Sequence, residues 1–140
     1  MSDRFFIDTN IFAYTFDNKS KKKQKISKEI ISHSLSENKG IISYQVVQEF
    51  LNISTHKFKI PLNIHDSKIY LSKILFPICE IYPNKTLFEL GLDIQSTTNY
   101  SFYDSMIIAS AITGKCKKLY TEDLSNGKVI QSVTIINPFK

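Results

Sequence analysis

A short apolar run that ends abruptly in an acid constrains this chain most. Phe5, Phe6 and Ile7 lead directly into Asp8, Thr9 and Asn10. Consecutive apolar residues without polar alternation are the pattern of a strand buried on both faces. Asp and Asn are poor strand formers, so the strand stops at Asp8. Ile11, Phe12 and Tyr14 then suggest a helix that Thr9 or Asn10 can cap. Asp8 therefore falls at the carboxyl end of a buried strand, the edge where open α/β sheets bind ligands. Taken alone, it is more simply read as a helix cap.

The same alternation continues along the chain. Ile26, Ile30, Ser34 and Leu35 have helical spacing, and Gly40 closes that helix. Ile41-Ile42-Ser43 is a second buried strand. Tyr44 to Lys57 follows as a helix with Val46, Val47, Phe50, Leu51 and Ile53 on its apolar side. Glu49 lies about 40° around that helix from Ile53, at ~100° per residue, and so borders the buried face. His65 to Phe76 is a helix between Pro61 and Pro77, and Ile78 to Tyr82 is a third strand. Asn84 caps the helix carrying Leu87, Leu90, Leu92 and Ile94. Ser101 caps another that runs to Thr113 and ends at Gly114. Leu119-Tyr120-Thr121 is a fourth strand ending in Glu122-Asp123, and Val133 to Ile136 is a fifth. Strands alternating with helices predict an α/β fold, a parallel sheet with helices on both faces. With no repeat and no linker, residues 1–140 are expected to form a single domain.

With 42% hydrophobic residues, the chain can build a sizeable core. No apolar run approaches the roughly 20 residues of a membrane helix, and no basic segment leads into a long apolar one as in a signal peptide. Cys79 and Cys116 are the only cysteines and form no CxxC pair, which argues against structural zinc and a disulfide framework. Reduced thiols in the cytoplasm are the simple expectation. The net charge of +5 favours a polyanionic partner. Lys19, Lys21, Lys22, Lys23 and Lys25, followed by Lys28, suit either a solvated helix start or a phosphate-contacting surface.

Strands one and four both end in acid, and they share one crevice if they are neighbours at a topological switch point. Glu49 lies one turn into the helix after the second strand, on the same side of the sheet. Asp104 opens a helix containing Met106 to Ile112, apolar nearly all round and hence buried. An acid there can simply complement the helix dipole. Carboxylates buried together, however, need a compensating partner. No Lys or Arg is an obvious partner for each, and no histidine lies in these segments. A hard cation, Mg²⁺ or Mn²⁺, satisfies such oxygen ligands. It would polarise a phosphate and activate water, the chemistry of phosphodiester hydrolysis.

These residues resemble a PIN domain, the fold of many metal-dependent ribonucleases. The resemblance rests on Phe6-Ile7-Asp8-Thr9-Asn10, Val46-Val47-Gln48-Glu49-Phe50, Phe102 to Ala111, and Leu119-Tyr120-Thr121-Glu122-Asp123. It implies a three-layer α/β/α sandwich with a five-stranded sheet of order 3-2-1-4-5. It implies that Asp8, Glu49, Asp104 and Asp123 bind Mg²⁺ or Mn²⁺, and that Thr9, Asn10 and Thr121 support them. Either Glu122 or Asp123 can be the fourth acid; the family's Thr-x-Asp pattern favours Asp123. A PIN domain of this size resembles the toxin of VapBC-type toxin–antitoxin pairs. Such toxins are endoribonucleases, often homodimeric, that commonly cut structured RNA such as transfer RNA. A small protein antitoxin restrains them.

Other readings fit less well. A haloacid-dehalogenase-type phosphatase wants a second Asp two residues after the first, and position 10 is Asn. A response-regulator receiver wants an acidic pair at the first strand and a phosphorylated Asp at the third, where only Glu80 stands. A non-catalytic RNA-binding module on the same fold would not need all four acids.

Overall fold

A computed structural model describes residues 3–140. Its six-stranded sheet has the order β3-β2-β1-β4-β6-β5. The strands are β1 (Phe5–Ile7), β2 (Gly40–Ser43), β3 (Cys79–Ile81), β4 (Lys118–Tyr120), β5 (Val129–Ile130) and β6 (Val133–Ile136). The helices are α1 (Thr9–Tyr14), α2 (Lys21–Glu37), α3 (Tyr44–His56), α4 (Ile64–Tyr70), α5 (Phe76–Ile78), α6 (Lys85–Thr98) and α7 (Phe102–Thr113).

β1 lies between β2 and β4 and is parallel to both, with Phe6 opposite Ile41 on one side and Leu119 on the other. The chain winds one way from β1 to β2 and returns on the opposite side at β4. The switch point therefore lies between β1 and β4, and both strands end there in acidic segments. β1 is central, and its three residues are all buried. α7 packs on β2, β4 and β6 with α6 against it, while α2 and α3 pack on β2 and join α1. The sheet thus sits between two helical layers. Ser105 through Ala111 are all buried, as an all-round apolar helix requires.

The expected parallel order is found if the fifth predicted strand is β6. The sheet itself is mixed rather than purely parallel, because β5 adds an antiparallel edge strand beside β6. This strand is two residues long, too short to leave a periodic signal. Two further expectations fail locally. Gly40 does not end α2: Asn38 does, in the left-handed conformation at φ 58°. Gly40 begins β2 instead, and a Cβ there would stand 2.1 Å from Ser34 Oγ. The helix expected to stop before Pro77 continues from α4 through a π-helical turn (Leu71–Leu75) into α5, which contains the proline. The wider π turn lies where a proline lacking its N–H would otherwise crowd the carbonyl four residues back.

Candidate active site

The acids are positioned where strands end and helices begin. Asp8 is itself the N-cap of α1: its Oδ1 accepts from the Thr9 N–H at 2.7 Å. Neither Thr9 nor Asn10 takes that role. Both are helical, and their side chains turn to other acids. The Thr9 hydroxyl donates to Glu49 Oε1 at 2.7 Å, and the Asn10 amide donates to Asp123 Oδ2 at 3.0 Å. The Thr121 hydroxyl, fully buried just beyond β4, donates to Asp8 Oδ2 at 2.8 Å. Thr121 Oγ1 in turn accepts from the Asp123 N–H at 3.2 Å. The motif at the end of β1 and the one at the end of β4 are therefore joined by direct hydrogen bonds.

Burial, with a smaller contribution from the charges of Glu49 and Asp123, pushes the Asp8 carboxyl up to about 6 against the two hydrogen bonds it accepts. Glu49 is half-buried on α3, as its place beside the apolar face predicts. Asp104 is half-buried in the first turn of α7. Its N–H donates to the Ser101 cap at 3.1 Å, and its carboxylate makes no hydrogen bond among the described residues. Gln45 connects the two helices. Its amide donates to Glu49 Oε2 at 3.3 Å and to the Tyr103 carbonyl, next to Asp104, at 3.1 Å.

Gln45 was not predicted from the sequence, although it stands four residues before Glu49. That spacing puts both on one helical face and is the signal that could have found it. Tyr14 was also missed, and no local pattern announces it. Its hydroxyl donates to Glu122 Oε1, and Lys23 Nζ donates to Glu122 Oε2. Lys23 also lies 4.7 Å from the centre of the Tyr14 ring and 5.4 Å from that of Phe139. Burial would raise the Glu122 carboxyl, but the hydrogen bonds from Lys23 and Tyr14, with the lysine's charge, outweigh it and hold the group below its ordinary range. Glu122 is thus turned away from Asp8, and Asp123 faces the site through Asn10. Lys23 is committed to this cluster, unlike the exposed Lys19, Lys21, Lys22 and Lys25.

Among the described residues, no Lys, Arg or His pairs with Asp8, Glu49, Asp104 or Asp123. Nor does any group of three or more His, Cys, Asp or Glu side chains stand close enough to hold a metal ion as placed. The expected convergence is therefore looser than a ready-made cage. Like charges repel, and Thr9, Asn10 and Thr121 each hold a different carboxylate. The donor set nevertheless suits a hard divalent cation: it is all oxygen and lacks a cationic partner. Asn10 Oδ1 adds a specific observation, being buried without a hydrogen-bond donor while its amide engages Asp123. A buried acceptor left without a donor is costly, and a cation or its water shell would satisfy it.

The PIN domain family model matches residues 5–126. A chain of a toxin–antitoxin complex from Klebsiella pneumoniae superposes with a TM-score of 0.66 at 16% identity, covering 95% of this chain and 96% of that one. VapC20 of Mycobacterium tuberculosis, described as a sarcin–ricin loop cleaving toxin, gives 0.61 at 18% identity over 85% and 89% of the two chains. A chain of VapBC2 from Rickettsia felis, bound to a DNA fragment from its promoter, gives 0.66 at 18% identity over 94% and 96%. No curated protein matches by sequence. At these identities the superpositions speak for the fold, while the family model spans both the motif after β1 and the acids after β4. On that match the chain belongs to the PIN domain family.

Proposed function

We propose that this PIN domain is a metal-dependent endoribonuclease, the toxin of a toxin–antitoxin pair. The observation that carries the reading is the set of carboxylates without cationic partners around the switch point, with the buried acceptor Asn10 Oδ1 beside them. Asp8, Glu49, Asp104 and Asp123 would hold Mg²⁺ or Mn²⁺. When bound, such a cation lowers the pKa of water and stabilises charge on a phosphate. The chain's own residues supply orientation. Thr121 and the Thr9 N–H fix Asp8, the Thr9 hydroxyl and Gln45 fix Glu49, and Asn10 fixes Asp123. Lys19, Lys21, Lys22 and Lys25 would contact RNA phosphates near the start of α2; Lys23, tied to Glu122, is left out of that role. The toxin–antitoxin assignment draws on the toxins and toxin–antitoxin complexes that this chain resembles in fold, and we place its action in the cytoplasm. No helix among the described residues is long and apolar enough to cross a membrane.

Incubation of the purified protein with structured RNA, transfer RNA included, tests the reading when Mn²⁺, Mg²⁺ or EDTA is supplied and RNA ends are sequenced. Metal-dependent internal ends are expected. Cleavage that persists undiminished in EDTA would exclude the metal-dependent reading.

The two adjacent acids should separate in the same assay. Asp123→Asn is expected to abolish cleavage. Glu122→Gln should keep it with weakened metal binding, since Glu122 acts by holding the segment that carries Asp123. The reverse ranking would make Glu122 the fourth acid.

We also propose a homodimer whose crevice is covered by an antitoxin segment. A largely apolar groove of about 390 Å³ is lined by Phe16, Leu62, Ile69, Tyr70 and Ile74. Phe76, two residues beyond Ile74, is 65% exposed. Such surface is ample for a small monomer. Light scattering across micromolar concentrations should report twice the chain mass; a monomer throughout would refute the dimer and leave the catalytic proposal standing.

A further inference from the structure

Tyr103 is 66% exposed, the most exposed aromatic side chain among the described residues, and it adjoins Asp104 in the first turn of α7. α7 ends just before β4 begins, so its last turn lies at the amino edge of the sheet and its first turn at the carboxyl edge, with the acids. Helical Cα–Cβ bonds tilt toward the N-terminus, so Tyr103 and Asp104 both lean toward that edge. The fold does not need this ring. Burial of α7 begins at Ser105 and continues through Ala111.

The ring is nevertheless held. Phe102, half-buried against the core, meets it edge-on, with ring centres 5.5 Å apart and planes at 73°. The Tyr103 carbonyl accepts from the Gln45 amide at 3.1 Å, and the same amide donates to Glu49 Oε2 at 3.3 Å. The backbone of Tyr103 is thus fixed to the helix that carries another acid. Tyrosine has only two side-chain torsions, so little freedom is lost when it makes a contact. Its hydroxyl makes no hydrogen bond among the described residues, and what it presents is an aromatic face. The surroundings are polar: α6 ends in Gln95-Ser96-Thr97-Thr98, followed by Asn99. The apolar groove at Phe16, Ile69 and Ile74 does not include Tyr103. An apolar protein segment would seek contiguous apolar surface. A nucleobase needs one ring on which to stack.

We propose that the Tyr103 ring stacks on the base of a nucleotide adjoining the bond cut at the acid crevice, and that it gives the enzyme a preference for a purine there. The inference rests on the ribonuclease reading and adds to it a specificity-determining residue. A purine offers the larger face, and preferences set by stacking follow stacking strength rather than hydrogen-bond readout.

Tyr103→Trp reads the contact directly, because the chain has no tryptophan. The variant carries a single indole whose emission a stacked base quenches. Three probes of equal length are titrated: oligoadenylate, oligouridylate and an abasic ribose-phosphate strand. Each is measured in EDTA and in Ca²⁺, a hard cation that takes oxygen ligands. Oligoadenylate should quench the emission by about half, oligouridylate by less, and the abasic strand by under about a tenth, since only a base has an aromatic face. Tyr103→Ala should bind oligoadenylate about tenfold more weakly and the abasic strand within about twofold of the wild type. Tyr103→Phe should match the wild type on all three probes, because the ring and not the hydroxyl makes the contact. Melting temperatures of the three variants should stay within about 2 °C of the wild type, as suits an exposed side chain. Equal quenching by the abasic strand, or undiminished oligoadenylate binding by Tyr103→Ala, overturns the proposal and leaves the ring to a protein partner. If that occurs while the wild type cleaves RNA with Mn²⁺, the stacking role falls and the ribonuclease reading stands. If oligoadenylate quenches selectively but no metal-dependent cleavage is found, the ribonuclease reading falls and a base-binding surface remains.

Discussion

Asp8→Asn is expected to lower RNA cleavage by about three orders of magnitude while raising the melting temperature of the metal-free protein. The loss follows from removing a charge that holds the cation, which is worth several kcal/mol in such sites, at about 1.4 kcal/mol per tenfold in rate. The gain follows from burial. The Asp8 carboxyl is raised from 3.8 to about 6 by desolvation, with Glu49 and Asp123 adding to it. Between those values the folded protein binds a proton that the unfolded chain does not. Acidification therefore favours the fold, and the penalty is full above about pH 6. At 1.36 kcal/mol per unit it amounts to about 3 kcal/mol at neutral pH. Asparagine keeps the cap acceptor for the Thr9 N–H, and its amide can donate to Thr121 Oγ1. Melting curves in EDTA from pH 7.5 to 4.5 should show the variant's advantage shrinking as pH falls through 6. A gap independent of pH would show that Asp8 carries no such penalty, and a fully active variant would end the metal-site reading.

The backbone was legible in the sequence wherever one element carried its own signal. The three residues of β1 are buried together and stop at an acid, so pattern and structure coincide. α7 is apolar all round, which specifies burial without knowledge of its neighbours. β5 was not legible. Its turn runs through Gln131 at φ 54° and Ser132, without the Asn-Gly signal common in tight hairpins, and Asn126-Gly127 lies before the strand instead. Gly40 misled because glycine is usual just past a helix end. Here Asn38 has the left-handed conformation, and the glycine is needed for close packing against Ser34 and Phe5.

The site was legible at the level of which acids stand at the ends of strands and helices. It was not legible at the level of who holds them. Glu122 and Asp123 are adjacent and chemically alike, and what separates them is a contact with Lys23, 99 residues earlier. Thr9 and Asn10 look like capping residues because their polar atoms are the ones that cap. Asp8 takes the cap, which frees them to bind Glu49 and Asp123. Such choices depend on tertiary neighbours and leave no mark in local pattern.

Asp104→Asn separates a metal ligand from a helix-dipole partner. Asp104 stands in the first turn of α7, where a negative charge stabilises a helix by about 0.3–1 kcal/mol. Its carboxylate has no hydrogen-bond donor among the described residues, so asparagine keeps the shape and breaks no side-chain bond. As a metal ligand, Asp104 adds charge to a crevice that already holds Asp8, Glu49 and Asp123. Its neutralisation should then leave the EDTA-treated protein as stable as the wild type or more so. Cleavage should be abolished. The rise in melting temperature with Mn²⁺, which follows the ratio of free metal to its dissociation constant, should shrink. As a dipole partner alone, the same substitution would cost up to about 1 kcal/mol equally with and without metal, and cleavage would persist. Melting curves of wild type and variant in EDTA and in excess Mn²⁺, with one RNA cleavage assay, distinguish the two. An active variant with an undiminished metal response would remove Asp104 from the site. The three remaining acids would then have to hold the cation without the helix that Gln45 ties to Glu49.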